Sequence, residues 1–383
     1  MNLLLISIDS LRLDAVSRTN PRIRTPRFDS SSRDFCFTDR CFSVSSATRP
    51  VHTTLFTGLY PFEHGVTSQR SPAMRQGIPH LFELLAGQGY QVGAFSEAAS
   101  IFSGLEYAPW ISEWVPGAVE RFLETTGPRL LFLHCWGTHA PYGAADGKAL
   151  GTTARLLREG RRAQVLALYQ RAVERVLESQ IAPLLDSLDL GEWVVLILGD
   201  HGERWAAEEI YHGQTLDNAV LRVPLYLHVP GTGNPPLPDP LCSLVDIFPT
   251  LEALFDLQAG YRGYGRDLRR EERPALYLAQ IEPVATREES GPDEPLLVGR
   301  PPGGPQWALF DALRKFTWWE ESGKNRLERT FTGEELPAQA GVVEYFTKAR
   351  EQLVSASAYA HLPRPQTAED RELDRRLREL GYL

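Results

Sequence analysis

Five short apolar segments constrain the fold of this chain more than any other feature of its sequence. Each segment is five to seven residues long, and they cover residues 3–8, 91–95, 130–134, 193–199 and 223–229. Uninterrupted apolar runs of this length are typical of strands that are buried on both faces, as in parallel sheets covered by helices. The sequence therefore predicts an α/β protein, an α/β/α sandwich around a mostly parallel central sheet.

Segments with helical spacing lie between these strands. Apolar residues recur about every three to four positions in them, which is the period of one helix face. We predict helices near 50–57, 77–88 and 243–257, and a longer helical stretch over about 151–188. Strands that alternate with helices in this way indicate crossover connections between parallel neighbours.

The regular alternation of strands and helices ends after residue 260. Residues 307–319 are expected to form a hairpin or two edge strands, and residues 368–380 a charged surface helix. We therefore expect a catalytic core over residues 1–260. A smaller C-terminal α+β subdomain, with a small antiparallel sheet and a terminal helix, would occupy residues 261–383.

Charge and cysteine content narrow the classes of partner and location. The net charge of −9 provides no basic surface for a polyanion, so we expect no nucleic-acid-binding surface. The four cysteines form no CxxC pair and are expected to be reduced thiols. The apolar run at residues 3–8 is too short to span a membrane and lacks signal-peptide flanks, so we expect a cytoplasmic protein.

Metal-capable side chains stand at the ends of three predicted strands. Asp9 ends the first strand, His134 ends the third, and Asp200 and His201 follow the fourth. Ligands of open α/β sheets bind in the crevice beyond the carboxyl ends of the strands. The sequence therefore predicts a metal-assisted site at this edge of the sheet.

An ordered series of motifs supports this prediction. Residues 6–12 read Ile-Ser-Ile-Asp-Ser-Leu-Arg, residues 54–61 read Thr-Leu-Phe-Thr-Gly-Leu-Tyr-Pro, and residues 199–203 read Gly-Asp-His-Gly-Glu. Thr-His-Ala-Pro-Tyr follows at 138–142 and His-Gly-Gln-Thr-Leu at 212–216. In this order, and over nearly the whole chain, they resemble the sulfatase/alkaline phosphatase superfamily. The resemblance implies an alkaline phosphatase-like fold.

The resemblance also implies a ligand set. Asp9, Asp200 and His201 would bind a divalent metal ion, with Thr48 as the fourth protein ligand and the nucleophile. A threonine hydroxyl is a weak nucleophile at neutral pH and needs this activation. The imidazole nitrogen of His201 favours Mn²⁺, Zn²⁺ or iron over Ca²⁺, and we expect Mn²⁺ or Zn²⁺. One or two ions are compatible with the sequence.

The residue at the nucleophile position separates two branches of the superfamily. Sulfatases carry Cys-x-Pro-Ser-Arg there and convert the cysteine to formylglycine, whereas this chain has Thr48, Pro50, Val51 and His52. Threonine resembles the phosphodiesterase branch, which works through a phospho-threonine. We therefore predict hydrolysis of a small anionic phosphodiester, phosphomonoester or phosphonate ester. The alternatives are a sulfatase and a non-catalytic binding protein with the same fold.

The remaining candidates are assigned by their places in the motifs. His139 and His212 are expected to contact the charged oxygens of the substrate and to serve as general acid, and His52 joins the catalytic set. His139 and His212 could instead bind a second metal ion together with His134, which could also be an ordinary core histidine. We expect Gln69 in the polar pocket, and Trp136 and Tyr142 beside the leaving group. The sequence leaves the oligomeric state open, with a homo-oligomer among the options.

Overall fold

A computed structural model describes residues 1–363, except 143–152, 154, 158, 206–209, 234–235, 238–240, 272–273, 285, 290–294 and 299–302. Its central feature is an eight-stranded sheet. The first ten strands, of which β7 and β8 form a separate short ribbon, are β1 (Asn2–Ile8), β2 (Cys36–Phe42), β3 (Gln91–Ser96), β4 (Ile111–Glu113), β5 (Arg129–Cys135), β6 (Trp193–Gly199), β7 (Arg204–Trp205), β8 (Ile210–Tyr211), β9 (Arg222–His228) and β10 (Cys242–Ser243).

The strand order in the sheet is β10-β2-β9-β6-β1-β5-β3-β4. All neighbours are parallel except β9, which runs antiparallel to both β2 and β6. The predicted α/β class and the mostly parallel sheet are thus confirmed. All five predicted strands are present within two residues of their expected ends. The sequence missed β2, β4 and β10 because β2 is polar and exposed in its middle and the other two are very short.

Helices cover both faces of this sheet. The α-helices with assigned bounds are α1 (Pro26–Ser31), α2 (Thr48–Thr57), α3 (Pro61–His64), α4 (Leu81–Gly87), α5 (Ala118–Leu123), α6 (Arg162–Val176), α7 (Ala182–Ser187), α8 (Asn218–Leu221), α9 (Ile247–Phe255) and α10 (Ala340–Ala356). Among them, no helix combines the length and the apolar character that crossing a bilayer requires.

Strand β1 belongs to both halves of the core because its side chains alternate between the two faces. Leu3 and Leu5 pack in a cluster with α2, α4 and α9, and Leu4 and Ile6 pack in a second cluster with α6 and α7. All four side chains are fully buried. The central strand is therefore held from both sides, which makes the position of its carboxyl end well defined.

Two predicted helices have different ends in the structure, for local reasons. The helix predicted over 77–88 begins only at Leu81, since Pro79 precedes it and the ring of His80 accepts a hydrogen bond from the Glu83 amide as the cap. The stretch predicted over 151–188 is helical across 162–187 but contains a π-helical turn at Leu177–Ile181. Pro183 lies just beyond that turn and has no N–H for the helix ladder, which favours the wider turn.

The C-terminal part contains a second, five-stranded antiparallel sheet of order β11-β14-β15-β16-β17. The strands after β10 are β11 (Tyr277–Ile281), β12 (Thr286–Glu289), β13 (Pro295–Val298), β14 (Gln306–Phe310), β15 (Arg314–Trp319), β16 (Asn325–Arg329) and β17 (Glu335–Leu336). Strands β12 and β13 form a separate two-stranded sheet. The hairpin predicted at 307–319 is confirmed as β14–β15. The helix predicted at 368–380 lies outside the described residues, and the domain boundary at residue 260 stays a prediction.

A buried carboxyl group ties the C-terminal segment to the core. Glu63 accepts hydrogen bonds from the Tyr60 amide at 3.0 Å and from the Ser357 hydroxyl at 2.8 Å. Its side chain is buried within α3, and burial raises its pKa from 4.5 to about 7. The folded protein therefore holds this proton to a higher pH than the unfolded chain does.

The stability of the protein is expected to fall as the pH rises from 4.5 to about 7, because only the unfolded chain releases the Glu63 proton in that window. Glu63→Gln should remove about 2–3 kcal/mol of this change, since one pKa unit corresponds to about 1.4 kcal/mol. Urea unfolding of both proteins at pH 5 and pH 8 measures the difference. Glu124→Gln, at an exposed position, is the control. An equal pH dependence in wild type and Glu63→Gln would contradict the assignment.

Candidate active site

The candidate site lies where β1 and β6 end side by side. Ile8 pairs with Gly199 in parallel register, so the next residues, Asp9 and Asp200, are neighbours across the two strands. The backbone N–H of Ser10 donates a hydrogen bond to Asp200 Oδ1 at 3.0 Å. The structure thus brings together the two carboxylates that the strand-end rule predicted to meet.

Thr48 reaches this pair from the first turn of α2. Its Oγ1 donates a hydrogen bond to Asp9 Oδ2 at 3.1 Å and lies 3.3 Å from His201 Nε2. Ala47 is extended (φ −140°), and the helix starts at Thr48, so the hydroxyl stands at the N-terminus of α2. The partial positive charge of a helix N-terminus favours an anion at this place.

The two carboxylates are both fully buried, and their pKa values are displaced in opposite directions. Burial raises the pKa of Asp9, but His134, His139 and His201 outweigh that effect and hold it well below its usual range. Burial, and then the charge of Asp9, raise the pKa of Asp200 well above its usual range. Asp200 Oδ2 has no hydrogen-bond partner in the described structure. A bound cation would stabilise such a pair of buried carboxylates.

The donor atoms fit a divalent metal ion. Asp9, Asp200 and His201 each offer one ligand atom, and these atoms lie within 4.8 Å of one another. The Nδ1 of His201 is 3.0 Å from the Gly202 carbonyl, to which it donates, so the lone pair of the neutral ring is on Nε2. That nitrogen lies 3.5 Å from Asp200 Oδ2. Two carboxylate oxygens and one imidazole nitrogen suit Mn²⁺ or Zn²⁺ better than Ca²⁺.

Two of the predicted histidines form the opposite wall of the site. The His139 ring stacks on Trp136 with 3.8 Å between ring centroids, and it lies 5.0 Å from the His212 ring. Nδ1 of His139 is 2.6 Å from the Ala140 carbonyl, and the His212 ring is 4.4 Å from that of His201. Burial lowers the pKa of His139 to about 4 and that of His212 to about 3. Both rings are therefore neutral at pH 7, and not the cations that a purely electrostatic role would need.

The structure adds Glu203, to which the sequence analysis gave no role. Its Oε1 lies 3.0 Å from His212 Nδ1, and its Oε2 accepts a hydrogen bond from the Tyr142 hydroxyl at 3.2 Å. Burial raises the pKa of Glu203 to about 8, so the carboxyl group is protonated at neutral pH. The available signal was the motif Gly-Asp-His-Gly-Glu itself, which ends on this residue.

Two further contacts of the site were also outside the predictions. Ser10 adopts φ 55°, and its Oγ lies 2.7 Å from Asp9 Oδ1 and 3.3 Å from His212 Nδ1. The Thr138 hydroxyl donates to the Asp9 carbonyl at 2.5 Å. Ser10 follows Asp9 directly in the sequence, but its left-handed backbone, which aims the hydroxyl into the site, depends on the tertiary structure.

The predicted pocket residues take different positions. Gln69 lies beside the start of α2, where its Oε1 accepts from the Arg49 amide at 3.2 Å, and its Nε2 is buried without a partner in the described structure. Trp136 is partly exposed next to His139. Tyr142 is buried behind Glu203 and also accepts a hydrogen bond from Trp205 at 2.7 Å, so it supports the site from behind.

His52 and His134 lie on the inner side of the carboxylates. Nδ1 of His52 is 2.8 Å from the Thr48 carbonyl, one helical turn back, and 4.0 Å from Asp200 Oδ2. Nε2 of His134 is 3.4 Å from Asp9 Oδ2 without hydrogen-bond geometry. The structure therefore assigns His134, which the sequence left open, to the site. It places His52 one helical turn after Thr48, with its ring packed against Phe102 and Phe132.

Comparisons with known proteins agree with this architecture. A family model described as Sulfatase matches residues 1–108 and 112–257. A search of curated protein sequences gave no significant match.

Solved structures resemble the chain across nearly its whole length. A phosphonate monoester hydrolase of Agrobacterium radiobacter is 15% identical with a TM-score of 0.66, over 92% of this chain and 95% of that one. A 2-O GAG sulfatase is 15% identical with a TM-score of 0.67, over 92% and 91%. A protein solved in complex with its substrate D-glucosamine-2-N,6-O-disulfate is 12% identical with a TM-score of 0.64, over 97% and 99%. At these identities the likeness establishes the fold, and the predicted fold family is confirmed.

In the presence of a chelator, Asp200→Asn is expected to be more stable than wild type, because it removes the repulsion between two buried carboxylates. The gain should be about 0.5–2 kcal/mol, the size typical of a single stabilising substitution. The same variant should lose most of the rise in Tm that Mn²⁺ or Zn²⁺ gives wild type. Thermal unfolding with chelator and with metal measures both effects, with the exposed Asp34→Asn as control. A full metal-induced shift in Asp200→Asn would exclude it as a ligand.

Proposed function

The chain belongs to the sulfatase family, and we propose that within it this protein hydrolyses phosphorus esters through a covalent intermediate on Thr48. Its substrates would be small anionic phosphodiesters or phosphomonoesters, with phosphonate esters as a related class. One observation carries the proposal: Oγ1 of Thr48 lies 3.1 Å from Asp9 Oδ2 and 3.3 Å from His201 Nε2. Thr48 carries a methyl group on Cβ, so it cannot be oxidised to the formylglycine aldehyde on which sulfatases depend.

The proposed metal ligands are Asp9, Asp200 and His201, with Thr48 beside them. A divalent ion bound there supplies Lewis-acid polarisation and lowers the pKa of groups that it contacts. The protein's own contribution is a buried, rigid ligand set at the ends of two central strands. The guanidinium of Arg49, the next residue in the chain, donates to the carbonyls of Ile101, Ser103 and Ser71.

The reaction would proceed in two displacements at phosphorus. Thr48 Oγ1 gives its proton to solvent and bonds to phosphorus while the bond to the leaving oxygen breaks, and the leaving group takes up a proton from the His212–Glu203 pair. Water then bonds to phosphorus and returns a proton to that pair, the bond to Thr48 breaks, and the threonine oxygen takes up a proton from solvent. The backbone N–H of Thr48, the first residue of α2, and Gln69 Nε2, which is buried without a partner in the described structure, would bind the non-bridging oxygens.

Glu203 and His212 would supply the proton to the leaving group. With its pKa near 8, Glu203 carries a proton at neutral pH and can donate it to His212 Nδ1 at 3.0 Å. The neutral His212 ring then carries its hydrogen on Nε2, the nitrogen on the far side from Glu203. This pairing allows a neutral histidine to act as general acid, with the buried carboxyl group as its proton source.

Sulfate ester hydrolysis is the second candidate. It is favoured by the family itself and by the sulfated sugar that one of the similar structures binds. Thr48 argues against it, because a threonine cannot be converted to formylglycine. A non-catalytic binding protein is a third candidate, and the intact set of Asp9, Asp200 and His201 counts against it. All four cysteines are free and buried, which is compatible with the cytoplasmic location that we propose.

Thr48→Ala is expected to lower kcat by about a thousandfold or more, since removal of a covalent nucleophile leaves only binding and electrostatic catalysis. Thr48→Ser should retain measurable turnover. The assay uses protein supplied with Mn²⁺ or Zn²⁺ and p-nitrophenyl phosphate, its diester, its phenylphosphonate and its sulfate. Thr57→Ala, at the other end of α2, is the matched control. Full activity of Thr48→Ala, or cleavage of the sulfate alone, would show the nucleophile assignment to be wrong.

Glu203→Gln is expected to slow esters with poor leaving groups more than esters with good ones. A general acid contributes about a hundredfold or more when the leaving oxygen is basic, and little when it is p-nitrophenolate. The kcat values for phenyl and p-nitrophenyl esters of the preferred phosphorus acid should therefore diverge by about tenfold or more in the variant. Glu124→Gln provides the exposed control. A uniform loss on both esters would assign Glu203 a purely structural role.

A further inference from the structure

We propose that the protein binds a second divalent cation between His52, His134 and Asp200, on the inner side of the carboxylate pair. The three residues each offer one ligand atom, and these atoms lie within 4.8 Å of one another. Asp200 belongs to this group and to the proposed ligand set of the first cation. The inference rests on the proposed function only in that shared residue, since the identity of the ester does not enter it.

Three buried atoms without partners support this site. His52 Nε2, His134 Nε2 and Asp200 Oδ2 are fully buried, and none of them has a hydrogen-bond partner in the described structure. A buried polar atom left unpaired opposes folding, so native proteins rarely leave several of them together. One cation would satisfy acceptors contributed by three different elements, α2, β5 and the end of β6.

The second nitrogen of each ring is already fixed by a protein group. His52 Nδ1 lies 2.8 Å from the Thr48 carbonyl, which can only accept, so Nδ1 carries the hydrogen. His134 Nδ1 lies 2.8 Å from Ser96 Oγ, a hydroxyl that can accept a hydrogen from the ring or donate its own. In the metal-bound form that we propose, both Nδ1 atoms would donate, which leaves a lone pair on each Nε2. Metal-binding histidines are typically held by an outer hydrogen bond of this kind.

The other sides of the two rings are covered by aromatic residues. The His52 ring packs edge-on against Phe102 and Phe132 at 5.1 Å and 5.9 Å, and the His134 ring packs against Phe102 at 5.4 Å. The two imidazoles lie 4.8 Å apart at an angle of 79°. This apolar wall lowers the local dielectric and strengthens the attraction between a cation and Asp200.

The donor atoms indicate the class of metal. Two imidazole nitrogens and one carboxylate oxygen suit Zn²⁺, Mn²⁺ or Fe²⁺, whereas Ca²⁺ and Mg²⁺ prefer oxygen ligands. All three proposed ligands are fully buried. The second cation would balance the charges of Asp9 and Asp200 and hold Asp200 in place for the first cation.

The test is the metal content of the full-length protein. After loading with Mn²⁺ or Zn²⁺ and removal of excess metal, native mass spectrometry and elemental analysis should give two ions per wild-type chain. His52→Gln and His134→Gln should each give one ion, and the control His228→Gln, away from the site, should give two. Loaded with Mn²⁺, the wild type should show the EPR spectrum of a coupled pair. The two variants should show the six lines of an isolated ion.

The possible outcomes are distinct. One ion per chain in the wild type overturns the proposal while leaving the metal-assisted threonine mechanism intact, and this result needs no variant to fold. Two ions that persist in His52→Gln and His134→Gln, but fall to one in His139→Gln, place the second ion at the outer histidines and also overturn it. No bound metal together with activity that is independent of Thr48 would mean that the proposed function itself fails.

Discussion

The burial of two carboxylates side by side is the constraint on which the rest of the structure depends. Asp9 and Asp200 are neighbours because β1 and β6 are parallel and in register up to Ile8 and Gly199. Such a pair opposes folding, as the raised pKa of Asp200 shows. The two apolar clusters on either face of β1 provide the stability that keeps the pair in place. The repulsion between the two buried carboxylates, which opposes folding, is thus also the reason why the site attracts cations.

The groups around this pair are arranged in two layers. On the outer side, His139 and His212 form a wall with Trp136 and Glu203, where a substrate and a leaving group can be accommodated. On the inner side, His52 and His134 face the carboxylates from a pocket of aromatic rings. Thr48 stands between the layers, at the start of α2. In the functions that we propose, the outer layer serves catalysis and specificity, and the inner layer balances the charge of the metal centre.

Much of this arrangement follows from the residues at strand ends. The apolar runs identify the central strands, and the rule that ligands bind beyond their carboxyl ends is enough to group Asp9, Asp200 and His201. Prediction from the sequence failed where the signal is weak or long-range. Strand β2 is polar in its middle, and Glu203 acts through residues that meet it only in space, such as Tyr142. Ser10 joins the site through a positive φ angle that its residue type does not indicate.

By itself, the sequence determined the strand-to-helix pattern and the residue types at the strand ends, because burial and ligand chemistry are properties of each segment. Only the tertiary structure decided on which side of the carboxylates each histidine lies. His52 and His139 were both assigned to catalysis, yet α2 carries the former inward and the turn after β5 carries the latter outward. That difference depends on how helices and loops pack over the sheet edge, which involves contacts between residues far apart in the chain.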